Sequence, residues 1–322
     1  MSNSKFDTLA SALLEQRKFS DLFYNLESLS EPEREDILRQ LALCAHTTVS
    51  DIVTSVNFKS HVKTQHDVDH ARLLYKSVDL FRYTLAILNL WNIDPERFIS
   101  ACNAKNDFLH MRHNLESKKW QGQDVVVFDC DDVIAQFRSH FDKYLHEKWE
   151  IKPDAHLKEY YNAKGIIAAG LNPDVLFKDF LRSSQMLALP ANKNVVQAMR
   201  SLKDKGYWIQ ILTARPAENL DSFYDTFSWF NKNNIPCDAI DFSPEKYRWL
   251  SEQKFYMMNK VVGVIDDSPK HAAEFSAHGV KTIMPAMPYN DHVEESAFLK
   301  RVDLKSLSSE DICSLITQNW NS

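Results

Sequence analysis

Apolar residues in the first third of the chain recur at the spacing of helical turns. The longest such stretch, His70 to Leu90, carries one wide apolar stripe: Leu73, Leu74, Val78, Leu80, Phe81, Leu85, Ile87, Leu88 and Leu90. Ser30 and Glu33 have the spacing of a capping box at a helix start. Asp94 followed by Pro95 marks another start, an N-cap with proline at the first helical position. Residues 1–118 are therefore predicted to form an all-α helical bundle domain.

In residues 119–322, short continuous apolar runs alternate with helical segments. Each run has the composition of a strand buried on both faces: Val125–Phe128, Trp208–Leu212, Ala239–Phe242, Val261–Ile265 and Val280–Met284. Segments such as Val195–Lys205 and Tyr247–Met258 separate them with helical spacing. This alternation predicts an α/β fold with a doubly wound parallel sheet, whose ligands bind beyond the carboxyl ends of the strands.

The stretch after the first predicted strand is longer than one crossover connection needs, because 84 positions separate Asp129 from Thr213. Residues 136–190 are therefore predicted to form a helical cap, and such caps exclude water and select substrate. Its aromatic residues are expected mainly in the core of the cap, with one or two free to stack on a base: Phe137, Phe141, Tyr144, Trp149, Tyr160 and Tyr161.

Composition and charge narrow the class of protein. With 44% hydrophobic and 25% charged residues the chain matches a globular protein, and its net charge of −6 gives no general attraction to a nucleic acid. The five cysteines lack a CxxC pair, so they are expected to be reduced. An apolar leader and an 18-residue apolar span are both absent from the sequence. We therefore expect a cytoplasmic protein that makes no membrane contact, and any contact with a nucleic acid would need a local basic patch that composition does not show.

Polar residues follow three of the predicted strands directly. Asp129-Cys130-Asp131 follows the first strand, Thr213-Ala214-Arg215 the second, and Asp266-Asp267 the fourth. Because parallel strands present their carboxyl ends at one edge of a sheet, these groups are expected to meet there. Carboxylate oxygens suit a hard divalent cation, and hydroxyl or cationic groups suit phosphate oxygens.

This ordered set resembles the haloacid dehalogenase superfamily. The first motif of that family, an apolar strand followed by DxD, matches Val126 to Val133, and the second matches Thr213. The fourth, a strand ending in an acidic pair, matches Asp266-Asp267. The third is a lysine at a helix start, which Lys246 fits best, with Lys254 as the alternative.

The resemblance covers residues 124–290 and implies a Mg²⁺-dependent phosphatase with a Rossmannoid sheet. In this family pattern Asp129 attacks phosphorus to form an aspartyl-phosphate. Asp131 protonates the leaving oxygen and then activates the hydrolytic water. Mg²⁺ is held by Asp129, the main-chain carbonyl of Asp131, Asp266 and Asp267.

The same resemblance assigns contacts with the phosphoryl group to Thr213 and Lys246. Ala214 and Arg215, which follow Thr213, are candidates for contacts with substrate. Arg215 could equally pair with an aspartate and fix the loop. Members of the family with an acid at the position of Asp131 transfer phosphate, which argues against dehalogenase chemistry.

Two residues beside the motif have alternative interpretations. Asp132 stands where the family commonly has glycine, and we favour a role in capping the following helix over a role in binding substrate. Cys130, between the two catalytic acids, is interpreted as a small packing residue.

Finer features suggest a branch of the superfamily. Val133, Leu189-Pro190 and Leu212 to Pro216 resemble the nucleotidase branch, including 5′(3′)-deoxyribonucleotidases. Lys246, twenty positions before Asp266, also resembles the phosphatase domain of polynucleotide kinases. The first resemblance implies a small phosphorylated substrate, a nucleotide, and the second a 3′-phosphate end.

The helical domain resembles the all-α nucleoside triphosphate pyrophosphatases, notably dimeric dUTPases. The residues that match are Phe58, Lys59, His61, Lys105, Asn106, His110 and Arg112. Those enzymes bind Mg²⁺ through two acidic helical motifs. Here the first window, Thr47 to Asp51, has one carboxylate, and the second places Lys76 before Asp79. The positive charge of a lysine would repel Mg²⁺, so the domain is predicted to have lost pyrophosphatase activity and to serve in dimerisation or nucleotide sensing.

The sequence thus predicts two fused nucleotide-handling domains, an arrangement common in bacteriophages, with the second an active nucleoside monophosphate phosphatase. Two alternatives remain at this point. One is a polynucleotide 3′-phosphatase. The other is a non-catalytic nucleotide-binding protein, against which the intact Asp129, Asp131, Lys246 and Asp266 speak.

Overall fold

The chain consists of two compact units, Met1–Ser100 and Ala101–Ser322. The structure, a computed structural model, describes residues 8–56, 67–116, 120–153, 159, 162–216, 219–318 and 320. The domain boundary predicted from the sequence, between residues 118 and 119, stays a prediction.

The first unit is helical, as predicted. Its helices are α1 (Leu9–Ser20), α2 (Glu31–Thr54) and α3 (His70–Leu90), and α4 (Pro95–Glu116) begins in it. Helix α3 packs against both α1 and α2. Ser30 and Glu33 form the expected capping box at the start of α2. At the start of α4, Asp94 accepts a hydrogen bond from the main-chain nitrogen of Arg97 at 3.1 Å.

Several residues of the sequence patterns lie outside the described residues: Phe58, Lys59, His61, Tyr160, Tyr161 and the side chain of Arg112. Of the remaining pyrophosphatase-like pattern, Asn106 and His110 are exposed on α4. Lys105 lies over the rings of Phe108 and Phe223, 5.2 and 5.9 Å from their centroids.

The second unit is built on a six-stranded parallel sheet in the order β3-β2-β1-β4-β5-β6. Its strands are β1 (Val125–Phe128), β2 (Trp208–Thr213), β3 (Ala239–Phe242), β4 (Val261–Ile265), β5 (Thr282–Pro285) and β6 (Leu299–Val302). The order reverses between β1 and β4, and at such a switch point the crevice beyond the strands binds ligands. The predicted doubly wound α/β fold is confirmed.

Helices fill the connections between the strands. Between β1 and β2 lie α5 (Phe137–Trp149), α6 (Ala163–Ala168), α7 (Pro173–Arg182), a 3₁₀ turn (Gln185–Ala188) and α8 (Lys193–Asp204). The later helices are α9 (Leu220–Lys232), α10 (Lys246–Gln253), α11 (Phe255–Met258), α12 (Pro269–Ala277), a 3₁₀ turn (Pro288–Asn290) and α13 (Ser309–Thr317). Helices α5, α6 and α7 lie within the predicted helical cap.

None of the helices in the described part of the chain combines the length and apolarity that a membrane crossing requires.

The sheet has an apolar core on each face, which explains why β1 is a continuous apolar run. Val126 and Phe128 join the larger core, whereas Val125 and Val127 join the smaller one on the opposite face. Successive strand residues point to opposite faces, so a strand covered on both sides is apolar throughout.

Three details differ from the sequence prediction. Strand β6 has the sequence Leu-Lys-Arg-Val, and this edge strand escaped detection because charged residues at an edge replace the apolar run of a central strand. The predicted strand Val280–Met284 begins at Thr282 instead. The predicted helix Tyr247–Met258 is broken into α10 and α11 at Lys254, whose φ of −127° and ψ of 40° are not helical.

Candidate active site

Asp129 and Asp266 emerge side by side because their strands are neighbours in the sheet. In the register of β1 and β4, Phe128 pairs with Ile265. The main-chain nitrogen of Asp129 donates to the carbonyl of Ile265 at 2.9 Å. Asp129 and Asp266, which follow these paired residues, therefore lie next to each other at the carboxyl end of the sheet.

Asp129, Asp266 and Asp267 bring carboxylate oxygens within 4.8 Å of one another, and all three residues are buried. In the described part of the chain this is the one group of three or more His, Cys, Asp or Glu residues placed to share an ion. An all-oxygen donor set suits Mg²⁺. The side chains predicted to bind metal are thus brought together, with Asp131 in the adjoining loop.

Lys246 lies between two of these acids. Its Nζ is 2.7 Å from Asp129 Oδ1 and 2.7 Å from Asp266 Oδ2, and the side chain is 1% exposed. Burial opposes its charge, but the two carboxylates outweigh burial and raise the pKa of Lys246. Lys254 lies instead over the Trp249 ring, 5.7 Å from its centroid. The geometry brings Lys246, the preferred third-motif residue, into the site.

Burial and neighbouring charges act together on the pKa values of the aspartates. It raises the pKa of Asp129 to about 6 although Lys246 acts in the opposite sense. Burial by itself raises the pKa of Asp266, but the charges of Lys246 and His271 outweigh it and lower the pKa. For Asp267, burial and the neighbouring carboxyl groups hold the pKa well above its usual range. Added positive charge would favour the ionised form of all three.

Asp131 is held by Arg215 through two hydrogen bonds. Arg215 Nη2 donates to Asp131 Oδ1 at 2.6 Å and Nε donates to Oδ2 at 2.9 Å. The third arm, Nη1, donates to Thr226 Oγ1 at 2.9 Å. Of the two roles considered for Arg215, the ion pair with an aspartate that fixes the loop is therefore present. This pair holds the carboxyl group of Asp131 in one orientation.

Asp132 adopts a left-handed backbone conformation with φ of 53°, which explains why glycine suits this position in the family pattern. Its Oδ1 accepts a hydrogen bond at 3.0 Å from the main-chain nitrogen of Arg138, in the first turn of α5. This is the favoured capping role. Burial raises the pKa of Asp132 to about 7. Cys130 is fully buried in the larger core, as expected of a packing residue.

Sequence reasoning missed three residues that surround the acids. The Tyr289 hydroxyl donates to Asp267 Oδ2, and Asn290 Nδ2 donates to the main-chain oxygen of Asp267 at 2.9 Å. His271 Nδ1 lies 3.6 Å from Asp266 Oδ1. Tyr289 and Asn290 belong to a short turn after β5. The only feature of the sequence that could have indicated these two residues is that they follow a predicted strand.

A cavity of about 520 Å³ opens onto the acids. One wall contains Asp129, Asp131, Ala214, Arg215 and Asp267. The opposite wall, from the cap region, is apolar and consists of Phe137, Phe177, Leu181 and Met186.

The other described candidate residues are buried behind the cavity wall. Thr213, Lys246 and Asp266 do not line the cavity, but each is bonded to a residue that does. Thr213 Oγ1 accepts from the main-chain nitrogen of Arg215 at 3.3 Å. Lys246 is bonded to Asp129, and Asp266 Oδ1 accepts from the main-chain nitrogen of Ser268 at 3.0 Å. The cavity therefore has one polar wall, which Thr213, Lys246 and Asp266 support from behind, and one apolar wall.

The chain is similar in part to solved structures of hydrolases. No protein-family model and no curated protein matches it. A HAD family hydrolase from Deinococcus radiodurans R1 with bound phosphate and sodium is 17% identical, with a TM-score of 0.41, over 61% of this chain and 98% of that one. CbbY from Rhodobacter sphaeroides in complex with phosphate is 16% identical, with a TM-score of 0.41, over 61% of this chain and 100% of that one. At these TM-scores the likeness carries no argument about function, which has to come from the site.

Proposed function

We propose that the second unit hydrolyses phosphomonoesters with Mg²⁺, using Asp129 as nucleophile and Asp131 as general acid and base. The observation that carries the proposal is the buried cluster in which Asp129, Asp266 and Asp267 share one oxygen-lined position while Lys246 bridges the first two. Buried carboxylates are costly unless they are paired or bind a metal, so such a cluster at a switch-point crevice favours a functional site.

In the first step an oxygen of Asp129 forms a bond to phosphorus while the bond from phosphorus to the leaving oxygen breaks. Asp131, held in place by Arg215, gives its proton to that oxygen. Lys246 and Thr213 are proposed to stabilise the charge on the phosphoryl oxygens. The product of this step is an aspartyl-phosphate and a free alcohol.

In the second step water attacks phosphorus, and the bond from phosphorus to Asp129 breaks. Asp131, now ionised, takes the proton of that water. Phosphate leaves, and both acids return to their starting states.

The donor set fits a divalent cation, since five carboxyl groups, those of Asp129, Asp131, Asp132, Asp266 and Asp267, outnumber the basic side chains that face them, Lys246, Arg215, Arg138 and His271. Mg²⁺ bound by Asp129, Asp266, Asp267 and the main-chain carbonyl of Asp131 would offset the repulsion between Asp129 and an anionic phosphate.

The proposed substrate is a nucleoside or deoxynucleoside monophosphate phosphorylated on the 5′ oxygen. The apolar wall with Phe137 and Phe177 supports this choice, because an aromatic ring can stack on a base. Both rings line the cavity and also contact Phe141 in the core of the cap, where Phe137 is buried and Phe177 is half-buried.

We also propose that the helical unit joins two copies of the chain and has lost pyrophosphatase activity. Leu74, Val78 and Phe81 form an exposed apolar stripe at helical spacing on α3, and Leu43 on α2 is 67% exposed. Such a surface on two packed helices favours association with a second copy.

The experiment for the central proposal is a phosphate-release assay on the full chain. Nucleoside 5′-monophosphates and p-nitrophenyl phosphate are supplied with MgCl₂ or with EDTA. We expect release with MgCl₂ that EDTA abolishes. Equal release in EDTA would contradict the metal site, and no release from any substrate would contradict the phosphatase assignment.

A further inference from the structure

One short turn holds both the side chain and the main chain of Asp267. The Tyr289 hydroxyl donates to Asp267 Oδ2, and Asn290 Nδ2 donates to the main-chain oxygen of Asp267 at 2.9 Å. All three residues are buried, and Asp267 is one of the three acids placed to share an ion. The proposed mechanism uses Asp267 but gives Tyr289 and Asn290 no part in the chemistry.

The turn is itself fixed by the edge strand β6. Arg301 Nε donates to Asn290 Oδ1 at 2.9 Å, and Arg301 Nη2 donates to the main-chain oxygen of Met287 at 3.0 Å. Within the turn, the main-chain nitrogen of Met287 donates to Asn290 Oδ1 at 2.9 Å, and Asn290 Nδ2 donates to the main-chain oxygen of Pro285 at 2.8 Å. Hydrogen bonds therefore run without a break from β6 to Asp267.

Packing limits where the Tyr289 hydroxyl can point. Tyr289 is 6% exposed, and the Arg138 guanidinium lies over its ring with Cζ 5.5 Å from the centroid. The hydroxyl is 3.5 Å from Asp132 Oδ2, so Asp267 is the nearer acceptor. A phenol has one proton to donate, and the position of the ring directs that proton to Asp267. Asp267 keeps its second oxygen for an ion.

We propose that Tyr289 is a positioning residue that orients Asp267 toward the metal and thereby strengthens the binding of Mg²⁺. Carboxylates that bind a metal are held in place by hydrogen bonds from neighbouring groups, and removing such a group weakens metal binding about 10- to 100-fold. This inference rests on the proposed metal site and adds a residue that holds one of its ligands. Tyr289 acts through Asp267 and takes no part in the transfer of phosphate.

The test measures Mg²⁺ binding directly, by isothermal titration calorimetry on the full chain without substrate. Tyr289→Phe keeps the ring and removes only the hydroxyl. We expect its Kd for Mg²⁺ to be about 10-fold higher than that of the wild-type chain. The matched control is Tyr207→Phe, the same substitution at a half-buried tyrosine that directly precedes β2, at the amino end of the sheet. Tyr207→Phe should bind Mg²⁺ as the wild-type chain does.

Phosphate release from p-nitrophenyl phosphate separates positioning from a role in the chemistry. As MgCl₂ is raised, the concentration that gives half-maximal release by Tyr289→Phe should increase by the same factor as the Kd. Its kcat at saturating MgCl₂ should stay close to that of the wild-type chain. A kcat that excess MgCl₂ does not restore would overturn the positioning role.

Thermal unfolding in EDTA checks that Tyr289→Phe folds. If it does not, Arg301→Lys, which loosens the turn from β6, replaces it and should raise the Kd in the same direction. An unchanged Kd in the folded variant, or an equal rise in Tyr207→Phe, would overturn the inference. Absence of Mg²⁺ binding by the wild-type chain would overturn the metal site as well. Mg²⁺ binding that depends on Tyr289, without phosphate release from any substrate, would overturn the phosphatase proposal alone.

Discussion

Individual side chains of the site divide into those that would react and those that hold them in place. Arg215 belongs to the second group, since it binds both oxygens of Asp131 and reaches Thr226 with its remaining arm. A guanidinium spans a carboxylate in this way, whereas an ammonium group cannot.

Replacing Arg215 by lysine keeps the charge and removes the two-point grip on Asp131. We predict that Arg215→Lys lowers kcat about 10-fold, the effect of losing one charge-assisted hydrogen bond, with little change in KM. Steady-state kinetics on one nucleotide provide the measurement. A raised KM at unchanged kcat would mean that Arg215 binds substrate instead of positioning the acid.

Much of the site at this scale was readable from sequence because each acid directly follows an apolar strand. Asp129, Asp266 and Lys246 share an ordered pattern, and the structure brings them together. Tyr289 and Asn290 were not readable, since both come from a turn whose path depends on tertiary packing. Their sequence surroundings carry no pattern of apolar strand and acid.

Helices α2 and α3 carry Asp51, Lys76 and Asp79, the residues compared above with the metal motifs of pyrophosphatases, and their charges neutralise one another. Asp51 on α2 is 2.9 Å from Arg72 Nη2 and 3.2 Å from Lys76 Nζ, and Lys76 is also 3.6 Å from Asp79. The hydrogen bonds from Lys76 and Arg72 hold the pKa of Asp51 below its usual range. Among the described residues of the first unit, no acidic cluster is placed to share an ion.

We therefore predict that the helical unit releases no pyrophosphate from any deoxynucleoside triphosphate. The full chain carrying Asp129→Asn is the sample, so that the second unit does not consume the substrate. Pyrophosphate is measured with MgCl₂ across the four common triphosphates and dUTP. Robust Mg²⁺-dependent release would show that other ligands complete a metal site in this unit.

The prediction of strands from sequence succeeded for the central strands β1 and β4 and for β3 at one edge of the sheet, and it failed for β6 at the other edge. Strands β1 and β4 are covered on both faces and read as apolar runs. Strand β6 carries Lys300 and Arg301, which edge strands tolerate and which hide the pattern. The break at Lys254 is set by the backbone between α10 and α11, which helical periodicity alone does not reveal.

The charge of the whole molecule disfavours long polyanions as substrates. The chain has 38 Lys and Arg residues against 44 Asp and Glu residues. In the cap region three of the described lysines pair with acids, in the pairs Lys143–Glu147, Lys148–Asp179 and Lys164–Glu159. A DNA-end phosphatase needs unpaired cations for the flanking phosphates.

We predict that a deoxynucleoside 5′-monophosphate is hydrolysed with a higher kcat/KM than a short 3′-phosphorylated oligonucleotide at the same ionic strength. Both substrates are measured at two salt concentrations. A preference for the oligonucleotide that weakens as salt rises would favour polynucleotide repair.

At the same scale we predict a dimer held by the apolar stripe of α3. Light scattering after gel filtration should give the mass of two chains for the wild type and one for Leu74→Glu, because a charge would be buried at the contact. Exposed Glu96→Gln is the control. A wild-type mass of one chain at every concentration would contradict the proposal.

The most direct test of the account is phosphate release by Asp129→Asn. The amide is nearly isosteric with the carboxylate but is a poor nucleophile, so turnover should fall at least about 1,000-fold while circular dichroism and thermal unfolding stay close to the wild type. Full turnover by Asp129→Asn, under conditions in which the wild-type chain releases phosphate, would contradict the nucleophilic role on which the proposed mechanism depends.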